Sequence, residues 1–436
     1  MSTFKGIAAS AGIVIGRVCL YRPVNPGKSD SCGCIDPSGT SQVDLHHLPS
    51  DAVIVACDLT PSDTASIDRE NVAGFVTEQG NATSHTAILA QALGVPAVVG
   101  VGDALGALEE HTCIAIDGAS GTIIVDPTPE ERALLEQRSQ TLRSEQDLLA
   151  RYKNRPAVLT NGKRILVDSN IGGPSDTATA LKFGADGAGL YRTELLFLNR
   201  DTPPTEDEQV AAYAAVLTAF HGKPVIIRTL DIGGDKRPSY LSLPSEANPF
   251  LGVRATRLGL RRPSLFRTQL RAILRASMSG KARIMYPLIA VPEEIEQANL
   301  LLRTVRDDLD REGIPYDHDI EIGIMVEVPS AALDAHRLAD RVDFFSIGTN
   351  DLTQYTFAAD RTNRDLHYLY QPLHPAVLSL IRMTVEAAHA HGKWVGICGE
   401  LAGDPQAIPV LVALGADELS MSPAKIPRAK QVVLSL

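Results

Sequence analysis

Between residues 163 and 436, eight apolar, β-rich runs alternate with helical stretches, and that alternation limits the fold more than any other feature of the chain. The runs are Ile165–Ile171, Gly187–Tyr191, Val225–Leu230, Ala282–Leu288, Ile320–Val326, Val342–Ile347, Trp394–Ile397 and Glu418–Met421. Strands separated by helices predict parallel pairing, because a crossover is what lays two successive strands side by side in one direction. Eight such units in about 270 residues predict a (β/α)8 barrel of the TIM type. An open, doubly wound sheet is the alternative, since periodicity does not prove closure. The gaps after the third and sixth runs are long, holding Gly233-Gly234-Asp235-Lys236 with Asn248–Arg254, and Asn350–Gln371. Loops that follow strands build the working face of a barrel, so chemistry is expected there.

Upstream, Ile7–Ala9, Ile13–Leu20, Ala52–Ala56, Ala73–Thr77, Ala97–Gly100, Cys113–Ile116 and Thr122–Val125 predict a small α/β domain over residues 1–126. Residues 22–50 interrupt it; rich in Pro, Gly, Ser and Asp, they read as a polar linker. Thr128-Pro129-Glu130-Glu131 puts Thr at the N-cap, Pro at the first helical position and Glu at the third, a capping box. No Gly or Pro follows until Arg155-Pro156. A long connecting helix is therefore predicted within 127–155, with the barrel occupying 156–436.

A formal charge of −11 argues against a nucleic-acid partner, which needs a basic face. It leaves anionic small molecules open, because a cleft can be locally positive on an acidic protein. No secretory leader is visible and no apolar run reaches membrane-spanning length, so a cytoplasmic protein is expected. Its six cysteines, Cys19, Cys32, Cys34, Cys57, Cys113 and Cys398, then read as thiols. Cys32-Gly33-Cys34 has no second Cys or His pair nearby, and loop cysteines without a special role are the better reading.

Arg192, Arg228 and Arg361 are each expected to follow a strand end. Three planar guanidinium forks suit a ligand carrying both phosphate and carboxylate, since each binds such groups bidentately. Arg254 is a weaker candidate of the same kind. Glu327 and Asp351 close adjacent strands; two carboxylates plus substrate oxygens suit Mg²⁺, which keeps its waters. A carboxylate paired to one of the arginines is the competing reading, and the two are compatible. A thiol at Cys398 with the unperturbed pKa of about 8.5 is mostly protonated at neutral pH and able to donate. His85 sits on a Gly-containing turn, Gly80-Asn81-Ala82-Thr83-Ser84-His85, ahead of an apolar helical run. As neutral imidazole it can act as a nucleophile. Metal ligation by it is disfavoured, because no His or Cys partner lies nearby.

Six longer motifs follow the predicted strands: Leu190-Tyr-Arg192-Thr-Glu194, Ile227-Arg228-Thr-Leu-Asp231-Ile-Gly-Gly-Asp-Lys236, Asn248-Pro-Phe-Leu-Gly-Val-Arg254, Met325-Val-Glu327-Val-Pro329, Ser346-Ile-Gly-Thr-Asn350-Asp351-Leu-Thr-Gln-Tyr355 and Gly396-Ile-Cys398-Gly-Glu-Leu-Ala402. They resemble the barrel motifs of enzyme I of the bacterial sugar phosphotransferase system, a family of phosphoenolpyruvate-utilising enzymes. The likeness runs from residue 50 to about 428. It implies a swivelling phosphohistidine domain joined by the long helix to the barrel, with phosphoenolpyruvate as donor. It implies that Arg192, Arg228, Arg361 and the Asn350 amide hold the substrate, that Glu327 and Asp351 ligate Mg²⁺, and that Cys398 protonates the departing enolate. His85 would carry the phosphoryl group, with Thr64 orienting its ring. Asn81 stands where the family has a second Gly, and Asn tolerates left-handed backbone better than other non-Gly residues.

Two departures are visible. The family inserts a helical domain that docks a histidine-containing phosphocarrier protein, and only the polar segment 22–50 occupies that place; the family also continues where residues 424–436 offer one short helix. The acceptor is therefore that carrier or another protein. A homodimer through the barrel is implied by the same resemblance. Two alternatives stay open: a component of a pyruvate phosphate dikinase or phosphoenolpyruvate synthase system, and a non-catalytic sensor of phosphoenolpyruvate.

Overall fold

Ala52-Val-Ile-Val-Ala56 is buried along its whole length, which a strand requires only when both faces of its sheet are covered. The computed structural model places it inside such a sheet. The described residues are 3–21, 45, 48–59, 67, 71–80, 84, 86–87, 89–90, 94–102, 108–198, 200–234, 238–241, 246–361 and 363–436. They form two units, Met1–Leu148 and Leu149–Leu436.

The first unit has strands β1 (Thr3–Lys5), β2 (Ile7–Ser10), β3 (Ile13–Tyr21), β4 (Ala52–Ala56), β5 (Val72–Thr77), β6 (Ala97–Val99), β7 (Cys113–Asp117) and β8 (Thr122–Val125). Their order across the sheet is β1-β8-β7-β3-β4-β5-β6-β2. The four central strands β3 to β6 run parallel. Ala52, Ile54 and Ala56 face one apolar layer with Phe75, Ala87 and Ala90, while Val53 and Val55 face another with Val76, Ile114 and Ile116. β1 is an addition to the sequence reading; it is a short edge strand with a half-exposed Thr-Phe-Lys face.

The helix Pro129–Ala150 begins as the capping box predicts. The Thr128 N–H donates to Glu131 Oε2 at 2.8 Å, and the Glu131 N–H donates to Thr128 Oγ1 at 3.2 Å. The helix stops at Ala150, inside the predicted 127–155, and turns carry the chain to the proline. Leu135 and Leu142 pack with Ile13 and Ala115, and Arg138 pairs with the buried Asp117 at 2.9 Å.

The second unit is a closed barrel. A two-residue strand, β9 (Ala157–Val158), precedes the eight: β10 (Arg164–Ile171), β11 (Ala188–Arg192), β12 (Val225–Arg228), β13 (Ala282–Tyr286), β14 (Glu321–Val326), β15 (Phe344–Ile347), β16 (Trp394–Ile397) and β17 (Glu418–Met421). Each pairs in parallel with the next, and β10 pairs with both β11 and β17, which closes the ring and excludes the open sheet. Leu190, Ile226, Met285, Met325, Phe344 and Cys398 pack together inside it. No described helix is long and apolar enough to cross a membrane.

One polar group inside the barrel has no counterpart in the sequence reading. Asp168 on β10 and Glu418 on β17 are buried on adjacent strands at the closing seam, close enough for each to shift the other's pKa. Among the described residues no donor reaches any of their four oxygens. Two adjacent carboxyls cannot both ionise out of water, so one proton must sit between them. Burial raises both pKa values, Glu418 to about 7 and Asp168 well above the carboxylate range; Arg283 opposes the rise, while Asp186, Asp417 and Glu321 add to it.

A folded-state pKa above the unfolded one means that stability is lost as pH climbs from the unfolded value through the folded one. Glu418→Gln should therefore gain stability over the native chain between pH 5 and 8, by roughly 3 kcal/mol at the alkaline end. Urea midpoints of both proteins at pH 5 and 8.5 check this, and a pH-independent difference would show that the pair does not share a proton.

Candidate active site

Arg192 and Arg228 end neighbouring strands and stand in register with each other. The parallel pairing thus aims two guanidinium groups into the barrel mouth side by side. Arg192 reaches solvent; the protein around it lowers its pKa, and the charge of Arg228 lowers it further. Arg228 is 6% exposed. Its Nη2 donates to Glu194 Oε1 at 2.5 Å, and its Nη1 lies 3.2 Å from Asp231 Oδ2 and 3.6 Å from Met325 Sδ. Burial alone would weaken the Arg228 charge, but Glu194, Asp231 and Glu327 outweigh it and raise its pKa.

Arg254, the weaker candidate in the sequence, proves to be central. It is the N-cap of the helix Ala255–Arg261 and is 6% exposed. Its Nη2 donates to Asp231 Oδ1 at 2.9 Å and Oδ2 at 3.0 Å, and to Asp351 Oδ2 at 3.4 Å. Its Nε donates to Asp231 Oδ1 at 3.2 Å. Gly233 makes this approach possible: at φ +118° a side chain there would be strained, and its Cβ would lie 2.4 Å from that of Arg254.

Glu327 directly follows β14 and is 2% exposed. The Leu288 N–H donates to its Oε1 at 2.8 Å, from a left-handed conformation (φ 56°) unusual for leucine. Burial, and then the Asp351 and Asp231 charges, push the Glu327 pKa up to about 8. Asp351 lies in the first turn of the helix Thr349–Phe357, which follows β15. Asn350 beside it accepts the Glu400 N–H at 3.0 Å through Oδ1, which leaves its amide N–H groups for a ligand.

Arg361 departs from the sequence reading. It ends no strand but lies beyond the helix Thr349–Phe357, where its Nη1 is 3.5 Å from Asp351 Oδ1 and its side chain is 41% exposed. A strand end fixes an arginine by its ladder, whereas here the Arg361 N–H donating to Gln354 Oε1 at 3.1 Å does so.

Cys398 follows β16 and is buried at the mouth. Its N–H donates to Ile347 O at 3.0 Å, and its carbonyl accepts from Asn170 Nδ2 at 3.2 Å. Burial pushes the thiol pKa up to about 11, against the lowering effects of Ser346, Arg228 and Arg192. The next residue must be glycine, since a Cβ on Gly399 would fall 1.8 Å from Thr349 Oγ1.

Arg192, Arg228, Glu327 and Cys398 thus lie at the C-terminal ends of barrel strands, while Arg254, Asn350, Asp351 and Arg361 come from the segments that follow strands. Sequence reading passed over Glu194 and Asp231 as ligands of the arginines. The available signal was a carboxylate two or three residues past each strand-ending arginine, in otherwise apolar surroundings. His85, Thr64, Asn81, Cys32 and Cys34 lie outside the described residues. Of the histidine turn the described flanks show Gly80 at φ 109° and the Ala87 N–H donating to Ser84 Oγ at 3.4 Å, a serine positioned to begin a helix.

A divalent cation fits the carboxylate donors. Burial first, and then the Asp351 and Asp231 charges, raise the Glu327 pKa, and a bound cation would relieve that cost. Among the described residues no cluster of three or more His, Cys, Asp or Glu side chains is spaced to cage a metal.

Residues 146–436 match the family of the PEP-utilising enzyme, PEP-binding domain, and residues 48–121 match the PEP-utilising enzyme, mobile domain. The chain belongs to the PEP-utilising enzymes. Within them it falls in the family of the phosphoenolpyruvate-protein phosphotransferases, as two relatives of that name show. That of Bacillus subtilis (strain 168) is 49% identical over 89% of this chain and 68% of its own length. That of Geobacillus stearothermophilus is 50% identical over 88% of this chain, which spans 66% of that protein's length. A solution structure of Enzyme I is 38% identical over 24% of this chain and 42% of its own, at a TM-score of 0.23.

Proposed function

We propose that this chain transfers the phosphoryl group of phosphoenolpyruvate to its own His85, releases pyruvate, and passes the group to a protein acceptor. The observation that carries the reading is the barrel mouth itself. Adjacent guanidinium forks, the carboxyls of Glu327 and Asp351 and a buried, protonated thiol meet there.

Arg192, Arg228 and Arg361 grip the substrate's phosphate and carboxylate, and an Asn350 amide N–H donates to it. Neutral His85 attacks phosphorus, the bridging P–O bond breaks, and its electron pair leaves with the enolate of pyruvate. The Cys398 S–H then gives its proton to the methylene carbon, forming the methyl group of pyruvate, and solvent restores the thiol. Glu327 and Asp351 would hold Mg²⁺, which when bound supplies positive charge against the phosphate and enolate oxygens. The acceptor is a histidine-containing phosphocarrier protein or another protein. A sensor of phosphoenolpyruvate would need the arginines alone, and the thiol buried beside them favours turnover.

Protein incubated with Mg²⁺ and ³²P-labelled phosphoenolpyruvate should gain acid-labile, base-stable label and release pyruvate. His85→Ala should gain none. Label that persists in the variant, or native protein that takes up none, overturns the reading.

A further inference from the structure

Six side chains form one unbroken line of alternating charge across the barrel mouth. Glu194 meets Arg228 at 2.5 Å, Arg228 meets Asp231 at 3.2 Å, Asp231 meets Arg254 at 2.9 Å, Arg254 meets Asp351 at 3.4 Å, and Asp351 meets Arg361 at 3.5 Å. The grip is uneven. Asp231 holds Arg254 through three contacts of 2.9–3.2 Å. Asp351 holds the same guanidinium through one longer contact, and both of its oxygens face arginines. The line comes from three separate chain segments, so no single loop sets it.

Resting on the reading of Glu327 and Asp351 as cation ligands, we infer that Asp231 is a positioning residue that restrains Arg254 and so keeps Asp351 available to the cation. Arg254 lies within reach of two carboxylates and is drawn by each. The Asp231 charge, closer and doubly engaged, wins. Without it the guanidinium would swing onto Asp351 and Glu327, and an internal ion pair would fill the site meant for the metal. A buried guanidinium left without its main counter-ion has a strong drive to find another. Asp231 also anchors Arg228, so one carboxylate keeps both buried arginines pointed at substrate rather than at the metal ligands.

The test is a double-mutant cycle read by direct binding of Mn²⁺, a paramagnetic stand-in for Mg²⁺, to the full chain without substrate. Asp231→Asn keeps the shape and removes the charge, and should weaken Mn²⁺ binding about tenfold, a typical coupling between touching charges. Arg254→Met removes the invading group. In that background Asp231→Asn should change Mn²⁺ affinity less than about twofold. A general loss of negative field would weaken binding equally in both backgrounds and would overturn the inference, as would an Asp231→Asn protein that binds like the native one. Native protein that binds no Mn²⁺ would overturn both the ligand assignment and the inference built on it. Should Asp231→Asn fail to fold, Asp231→Ser, which also removes the charge, takes its place in both backgrounds with the same expected and overturning outcomes.

Discussion

Cys398→Ala is expected to slow pyruvate formation by about 10²- to 10⁴-fold, the usual contribution of a positioned general acid. Substrate binding should survive, because the arginine forks and the carboxylates lie on other segments of the chain. Burial pushes the thiol pKa up to about 11, so it holds its proton through the physiological range. Donation should then be lost only as pH rises through about 11, and this residue should add no alkaline limb to the native rate profile well below that. Pyruvate release measured beside label on His85 separates the two half-events. A variant that releases pyruvate at the native rate would assign the proton to water or to another side chain.

Arg228→Ala should do damage of two kinds. It removes a fork from the substrate site, and it leaves Glu194 and Asp231, each under 5% exposed, facing each other without the cation between them. Removing one partner of a buried ion pair typically costs about 3–5 kcal/mol. The barrel's urea midpoint should fall accordingly, and phosphoenolpyruvate should no longer protect it. Arg192→Ala provides the contrast. Its side chain reaches solvent, so affinity should fall while the midpoint barely moves. Equal midpoints for the Arg228 variant and native protein would mean that the two carboxylates find other partners or take up protons.

The barrel was legible because its strands are buried on both faces, and a run such as Ala282–Tyr286 cannot hide its apolar character. The helix start at Thr128 was legible for a different reason: a capping box is local, and its bonds stay within four residues. What escaped was whatever depends on partners far along the chain. Asp231 reads as one polar residue in a Gly-rich loop until Arg254, 23 residues later, folds back onto it. Arg361 was placed at a strand end because proximity in sequence stood in for proximity in space, and a helix intervenes. Asp168 and Glu418 occur in strands whose pattern is otherwise apolar, and only closure of the ring puts one against the other. β1 was missed because an edge strand of Thr, Phe and Lys has no apolar run to announce it.

The seam between β10 and β17 has a further consequence, for the time course of folding. Asn170 accepts the Ser420 hydroxyl across a sequence separation of 250 residues, and Thr160 donates to the carbonyl of Leu436 across 276. Contacts so distant are slow to form, since a long stretch of chain must be ordered before they repay it. The first strand of the ring therefore waits with one edge unpaired while the rest is made. During that wait its hydrogen-bonding groups are open to other chains, which is the state most prone to aggregation. Barrel closure is in this sense a late kinetic gate, and the strength of the seam bears on how much chain reaches the native state as well as on how firmly it stays there.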